Sequence, residues 1–170
     1  MNGRMLFNLY TVDSVMVFAA LCGAISAVGE ARRQPIKRWL LLMPGAFALL
    51  ATILMLAFPT VSDLLDSGFW TVLLISVLGG AVRGAFIGMA SDHYWKLVRL
   101  DHGIDALLAA LGVLLITVVQ FAIEASTGAE NRAETTFEFA VSVVAGYLLG
   151  RSIAAWFRAR ALHHHDLKEV

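Results

Sequence analysis

Five apolar stretches, each about 20 residues long, occupy most of this 170-residue chain. They cover residues 10–29, 39–59, 69–90, 105–124 and 137–157. About 20 residues of α-helix rise roughly 30 Å, which is the thickness of the hydrocarbon layer of a bilayer. The links between the stretches are too short for a separate soluble domain. The pattern therefore predicts an all-α fold, in which residues 1–170 form one transmembrane domain, an integral membrane bundle of five helices.

The composition agrees with burial in lipid. Hydrophobic residues make up 59% of the sequence, and the mean hydropathy is +0.75. A soluble helical bundle would give each helix a polar face, whereas these stretches are apolar nearly all round. The 13 basic and 13 acidic residues cancel. The net charge thus gives no general attraction for nucleic acid, and membrane lipid is the expected partner.

Basic residues are distributed unevenly between the two sets of loops. Nine lie after the first, third and fifth stretches: Arg32, Arg33, Lys37, Arg38, Lys96, Arg99, Arg158, Arg160 and Lys168. The opposite side has only Arg4 and Arg132. Because cytoplasmic loops are enriched in Lys and Arg, this asymmetry predicts an outside N-terminus and a cytoplasmic C-terminus. We expect the protein in the bacterial cytoplasmic (inner) membrane.

Small residues recur at every fourth position in the third and fifth stretches, and we call these rows the two glycine ladders. They consist of Ser76, Gly80, Gly84 and Gly88, and of Ser142, Gly146, Gly150 and Ala154. Positions four apart lie on one helix face, where small residues let another backbone approach closely. A weaker row follows Ala19, Gly23 and Ala27. The rows predict tight packing of helices 1, 3 and 5; the alternative is that one ladder faces a second subunit.

Two arginines lie within the apolar stretches, Arg83 in the third and Arg151 in the fifth. Both are on the order of 10 Å from the predicted inner end of their helix. Long basic side chains at this depth can extend to the lipid phosphates or to helix-end carbonyl groups. The alternative is that they line a cavity open to the cytoplasm and bind an anionic solute or lipid.

A second polar group is expected near the outer boundary. Asp13, Gln120 and Glu124 all fall within a turn or two of that boundary, and Glu138 lies at a similar level. Solvation at the interface explains them without a function. The alternative is a carboxylate relay, in which Asp13 or Glu124 carries protons in a gradient-driven carrier.

The link between helices 3 and 4 contains two Asp-His pairs, Asp92-His93 and Asp101-His102, followed by Asp105. Carboxylate and imidazole groups are ordinary metal ligands, so a metal-dependent membrane enzyme is a distant alternative. The spacing fits no established metal motif, and an interfacial loop explains these residues equally well. No cofactor or metal is therefore expected.

The segment GGAVRGAFIGMASDHYWKLVRLDHG, residues 79–103, combines a glycine-rich helix containing Arg-Gly with a short hairpin that has Asp near Gly. It resembles the CcdC-like family, small bacterial multi-pass membrane proteins whose name links them to cytochrome c biogenesis. The matching residues are Arg83, Gly84, Gly88, Asp101 and Gly103. The chain departs from the family pattern at His102 and Asp105, where a plainer hydrophilic turn is expected. The resemblance implies an integral membrane accessory role.

These observations favour a non-enzymatic accessory or oligomeric packing subunit. The expected partners are a second copy of the chain or another membrane protein. The main alternative is a small carrier or channel for an anionic solute or lipid, built on Arg83 and Arg151.

Overall fold

The computed structural model describes residues 3–56, 67–92, 96–127 and 136–162. Its helices are α1 (Gly3–Ala31), α2 (Met43–Leu56), α3 (Ser67–Phe86), α4 (Ile104–Thr127) and α5 (Thr136–Ala161). A 3₁₀ helix, Arg38–Leu42, leads directly into α2. The strands are β1 (Ile36–Lys37), β2 (Met89–Asp92) and β3 (Leu97–Leu100). The predicted helical class is confirmed, and the small sheet is an addition that the sequence pattern did not predict.

Helix α5 lies at the centre of the bundle and packs against α2, α3 and α4. Helix α1 packs against α2 and α4, so these two close a four-helix group with α1 and α5. Helix α3 has its main contact with α5 and lies on the outside of this group. The prediction that helix 1 packs against helices 3 and 5 is therefore wrong. The main partners of α1 are α2 and α4, and Gly23 of α1 lies against Phe47 of α2.

Alanines make up most of the buried core of the four-helix group, while many large apolar side chains face outward. The buried alanines of the four-helix group are Ala19, Ala20, Ala24, Ala27, Ala48, Ala51, Ala106, Ala110 and Ala145. Phe18, Leu74 and Leu115 are each more than 60% exposed. Close packing through small residues with large apolar groups outside is typical of helices surrounded by lipid.

Three helices contain stretches that are long and apolar enough to cross a membrane, counted over the described ranges. They are Ser14–Ala31, Ile104–Ile123 and Phe139–Ala161. The apolar helical stretches Arg38–Leu54 and Trp70–Phe86 are shorter. By the length and composition of its helices, the chain is a membrane protein.

The three strands join two separate links at one end of the bundle. Strand β3 lies between β1 and β2 and pairs antiparallel with both. Val98 of β3 is opposite Ile36 of β1 and Ser91 of β2. The Ser91 hydroxyl donates to the carbonyl of Ala159 in α5 at 3.1 Å. We call this the sheet end; the C-terminal ends of α1, α3 and α5 and the N-terminal ends of α2 and α4 meet there.

Helix α3 ends at Phe86 rather than at the predicted Ala90. The chain leaves the helix because Met89 onward pairs with β3. Arg158 of α5 replaces the missing helical donors, since its Nη1 donates to the carbonyls of Ala85 (2.6 Å) and Ile87. Gly88 therefore lies outside the helix, and a Cβ there would collide with the Asp101 carboxylate.

The rest of the two glycine ladders meet at the contact between α3 and α5. A Cβ at Gly80 would collide with the main chain of Tyr147, and one at Gly150 with the main chain of Val77. A Cβ at Gly146 would lie 3.1 Å from the Cβ of Ser76. Glycine at these positions is what allows the two backbones to approach so closely.

The remaining ladder residues also lie inside the protein. A Cβ at Gly84 would collide with the Arg151 carbonyl and lie 3.0 Å from the Cβ of Ala154. Ser142 is fully buried. The glycines of both ladders are therefore in close contact with other parts of the chain.

Candidate functional site

Four charged side chains and one tyrosine from four helices meet near the sheet end. We call Glu30, Arg83, Asp105, Tyr147 and Arg151 the ionic cluster. The Arg151 and Glu30 side chains are fully buried, that of Asp105 is 21% exposed, and that of Arg83 is 44% exposed. The cluster therefore runs from the protein interior to the surface between α3 and α4.

Arg151 is held on three sides by carboxylate oxygens. Its Nε donates to Oδ2 of Asp105 at 3.2 Å, and its Nη2 donates to Oδ1 at 3.1 Å. Its Nη1 donates to Oε2 of Glu30 at 2.8 Å. A two-point contact between guanidinium and carboxylate is strong and fixes the orientation of both groups. Every nitrogen of this guanidinium is thus bonded to a carboxylate.

Asp105 is the centre of the cluster. Besides Arg151, its Oδ2 accepts from Arg83 Nε at 3.0 Å and from the Tyr147 hydroxyl at 3.2 Å. One carboxylate at the start of α4 therefore joins α3 and α5. Its position in the first turn of α4 also suits the positive end of that helix dipole.

Close backbone contacts bring these side chains together. Because Gly80 and Gly84 contact the main chain of Tyr147 and Arg151, those two residues touch α3 with their backbone. Their side chains are then directed towards α4 and α1. At the other side of the cluster, Gly103 allows the start of α4 to lie directly on the Glu30 carbonyl.

The charges within the ionic cluster balance, with two guanidinium and two carboxylate groups. Removing an ion from water costs several kcal/mol, and only well-placed opposite charges offset that cost. Among the described residues, Oε1 of Glu30 is the one oxygen of the cluster that is buried without a hydrogen-bond donor. The arrangement holds four helices at a fixed spacing, and its positive and negative charges neutralise one another.

Both arginines were predicted from the sequence as charges at membrane depth, but their arrangement was not. Arg151 does not extend to the lipid phosphates, because its side chain is completely buried within the protein. Arg83 is half-exposed at the edge of α3, and its Nε is bonded to Asp105. Glu30 was missed because it directly follows the apolar stretch ending at residue 29. The predicted levels of the two residues also differed by on the order of 10 Å, so the sequence pattern did not indicate that Glu30 and Arg151 would pair.

The predicted outer polar group is only partly within the described side chains. Gln120 is buried in α4 with 5% exposure. The side chains of Asp13 and Glu124 lie outside the described residues. The structure therefore places Gln120 away from the surface, and the relay stays a prediction.

The acidic residues of the link between α3 and α4 point to no metal centre. Asp92 is opposite Leu97 beside the turn of the β2–β3 hairpin, whereas Asp101 follows β3 at the other end. Four residues of strand separate those ends by on the order of 10 Å. Asp105 belongs to the ionic cluster, and no group of three potential ligands occurs among the described residues. His93 lies outside them. Asp92 and Asp101 thus cannot share one metal ion.

Comparisons with protein-family models, with curated proteins and with solved structures gave no match for this chain.

Proposed function

We propose that the chain is a non-enzymatic, multi-pass protein of the bacterial cytoplasmic membrane that acts as an oligomeric or accessory subunit. The observation that carries this proposal is the mutual neutralisation within the ionic cluster. Arg151, whose side chain is fully buried, has all three guanidinium nitrogens hydrogen-bonded to carboxylates. Its role is to hold α5 against α1 and α4, which is a structural task.

We further propose that the chain crosses the membrane five times, with the two shorter apolar stretches also spanning it. Helix α3 has 20 residues and rises about 30 Å. The 3₁₀ helix and α2 have 5 and 14 residues, and in line they also rise about 30 Å. Successive helices then run alternately towards and away from the sheet end.

The sheet end is proposed to face the cytoplasm. Eight of the nine basic residues counted on the predicted inner side belong to this end of the described chain: Arg32, Arg33, Lys37, Arg38, Lys96, Arg99, Arg158 and Arg160. The positive-inside rule then gives an outside N-terminus.

Oligomerisation is supported by a groove on the outside of the bundle. It has a volume of about 350 Å³ and lies between α3 and α4, above α5. Its walls include Ser76, Gly79, Ala109 and Gly112. A Cβ at Gly79 would meet nothing within 4 Å. Small residues on an open apolar surface allow a further helix to approach closely, and we propose that a helix of a second copy does so.

The carrier alternative rests on Arg83, whose side chain is half-exposed. It lies beside Asp105, whose side chain is also partly exposed. An anion binding there would have to compete with Asp105 for the guanidinium. Membership of the CcdC-like family likewise stays a proposal, supported by residues 79–103 alone.

Native mass spectrometry of the detergent-purified chain, combined with anion flux into proteoliposomes, tests the proposal. We expect a complex of two or more copies and no flux above that of empty liposomes. Gly79→Leu and Gly112→Leu fill the groove and should shift the complex towards the monomer. A monomeric wild type that transports an anion, with transport lost in Arg83→Gln, would instead establish the carrier.

A further inference from the structure

A second collection of charges at the sheet end is not balanced. Lys37, Arg38, Lys96 and Arg160, together with Trp39 and Trp156, line a pocket of about 490 Å³. We call it the basic pocket. Among the described residues that line it, four of six are cationic and none is acidic. This is the reverse of the ionic cluster, in which opposite charges are equal in number.

Three of the four cations, Lys37, Arg38 and Lys96, lie on segments that the sheet holds together. Lys37 ends β1 and Arg38 begins the 3₁₀ helix, while Lys96 directly precedes β3. The Arg38 amide donates to the Lys96 carbonyl at 3.0 Å, which fixes the two segments. Lys96 has a φ of 53°, a left-handed conformation that a lysine adopts when its surroundings impose it. The positions of these charges are therefore set by the fold.

One hydrogen-bond donor of the basic pocket has no partner in the part of the chain that the structure describes. The Nε of Arg38 is buried and has no acceptor among the described residues. Its Nη2 donates to the Asp92 carbonyl at 3.5 Å, which is long for a hydrogen bond. A buried donor without an acceptor calls for a ligand or water. Like charges around one pocket also repel, and an anion in their midst removes that repulsion.

The two tryptophans give the pocket a partly apolar wall. The Arg160 guanidinium lies over the Trp156 ring, 4.3 Å from the ring centre. Trp39 is 52% exposed. Tryptophan and basic residues together are typical of the boundary between hydrocarbon and lipid headgroups. Arg160 lies in the last turn of α5, at the very end of the membrane-spanning stretch Phe139–Ala161.

We propose that the basic pocket binds an anionic phosphate group at the membrane surface. Arg38, Lys96 and Arg160 bind the phosphate oxygens by charge-assisted hydrogen bonds. The ring faces of Trp39 and Trp156 contact the carbon atoms next to that phosphate. The group belongs either to a phospholipid headgroup or to a free phosphate compound, and this site is separate from the sequence-predicted pair Arg83 and Arg151.

The test uses the full chain in neutral detergent, where no charged bilayer surface contributes. Native mass spectrometry measures retention of phosphatidylglycerol and of phosphatidylcholine, and calorimetry measures binding of inorganic pyrophosphate. The variant is Lys96→Gln with Arg160→Gln. The matched control, Arg32→Gln with Arg99→Gln, removes the same charge from the same end but outside the pocket. Circular dichroism checks folding, and Lys37→Gln with Lys96→Gln replaces the first variant if that one unfolds.

Wild type and control are expected to hold phosphatidylglycerol in preference to phosphatidylcholine, and the variant about tenfold more weakly. That result identifies a lipid headgroup as the source. Pyrophosphate binding that weakens by the same factor in the variant, without lipid preference, identifies a free phosphate compound. The proposal is overturned if the wild type binds neither probe, or if variant and control bind equally.

Discussion

Adjacent glycines in α3 allow one methyl group to be tested in two surroundings. Gly80→Ala places a Cβ against the main chain of Tyr147, which cannot move aside as a side-chain tip could. Gly79→Ala, one residue earlier, places its Cβ where no atom lies within 4 Å. Both substitutions gain the same helix propensity, so that contribution cancels in the comparison.

The difference in stability then reports the backbone collision alone. Overpacking of a tight contact costs about 1–3 kcal/mol, so Gly80→Ala should be less stable than Gly79→Ala by about 2 kcal/mol. For a chain of this length, that corresponds to a difference of about 5 °C in unfolding temperature. Helix α3 is the element expected to separate, because α5 is its main contact.

Thermal unfolding in neutral detergent, followed by circular dichroism, measures this difference. The reciprocal variant Gly150→Ala collides with the Val77 main chain and should behave like Gly80→Ala. Equal unfolding temperatures for Gly79→Ala and Gly80→Ala would refute the close approach of α3 and α5.

Four further substitutions test three other contacts, and the same unfolding assay measures their effects. Arg83→Gln removes a half-exposed ion pair to Asp105, so we expect a loss below about 1 kcal/mol; a larger loss would mean that Arg83 is buried in the membrane. Arg158→Gln removes the donor to two carbonyls at the end of α3 and should cost about 1–3 kcal/mol, whereas an unchanged protein would refute that capping role. Gly103→Ala should destabilise the protein through collision with the end of α1, while Gly112→Ala meets only ordinary contact at 3.9 Å; equal effects would contradict this geometry.

The helices were predictable because lipid burial leaves a strong signal in a single sequence. About 20 apolar residues can satisfy their backbone groups in a membrane only as a helix or in a closed barrel. The glycine ladders were also predictable from the sequence, because residues four apart lie on the same face of a helix. Which helices they join depends on tertiary packing, and the predicted contact of helix 1 with helices 3 and 5 was wrong.

The sheet and the ionic cluster lay beyond single-sequence reasoning. Strands of two to four residues carry too little pattern to be seen, and β1 pairs with a strand about 60 residues away. Arg151 was recognised as a charge at membrane depth, but its partners come from α1 and α4. The predicted first helix ended at residue 29, one residue before Glu30. The pairing of Glu30 with Arg151 could therefore not be predicted.

A double-mutant cycle on Arg151 and Asp105 tests the central claim most directly, namely that the buried charges stabilise the bundle by neutralising one another. Arg151→Met should cost about 3–5 kcal/mol, because it leaves buried carboxylates unpaired. In the Arg151→Met variant, Asp105→Asn should cost less stability than it costs in the wild type. The difference between the two costs is the coupling energy, which should be about 2 kcal/mol. A control cycle pairs Asp105→Asn with Thr52→Val in the middle of α2 and should be additive. Additivity within about 0.5 kcal/mol for Arg151 and Asp105 as well would contradict the account.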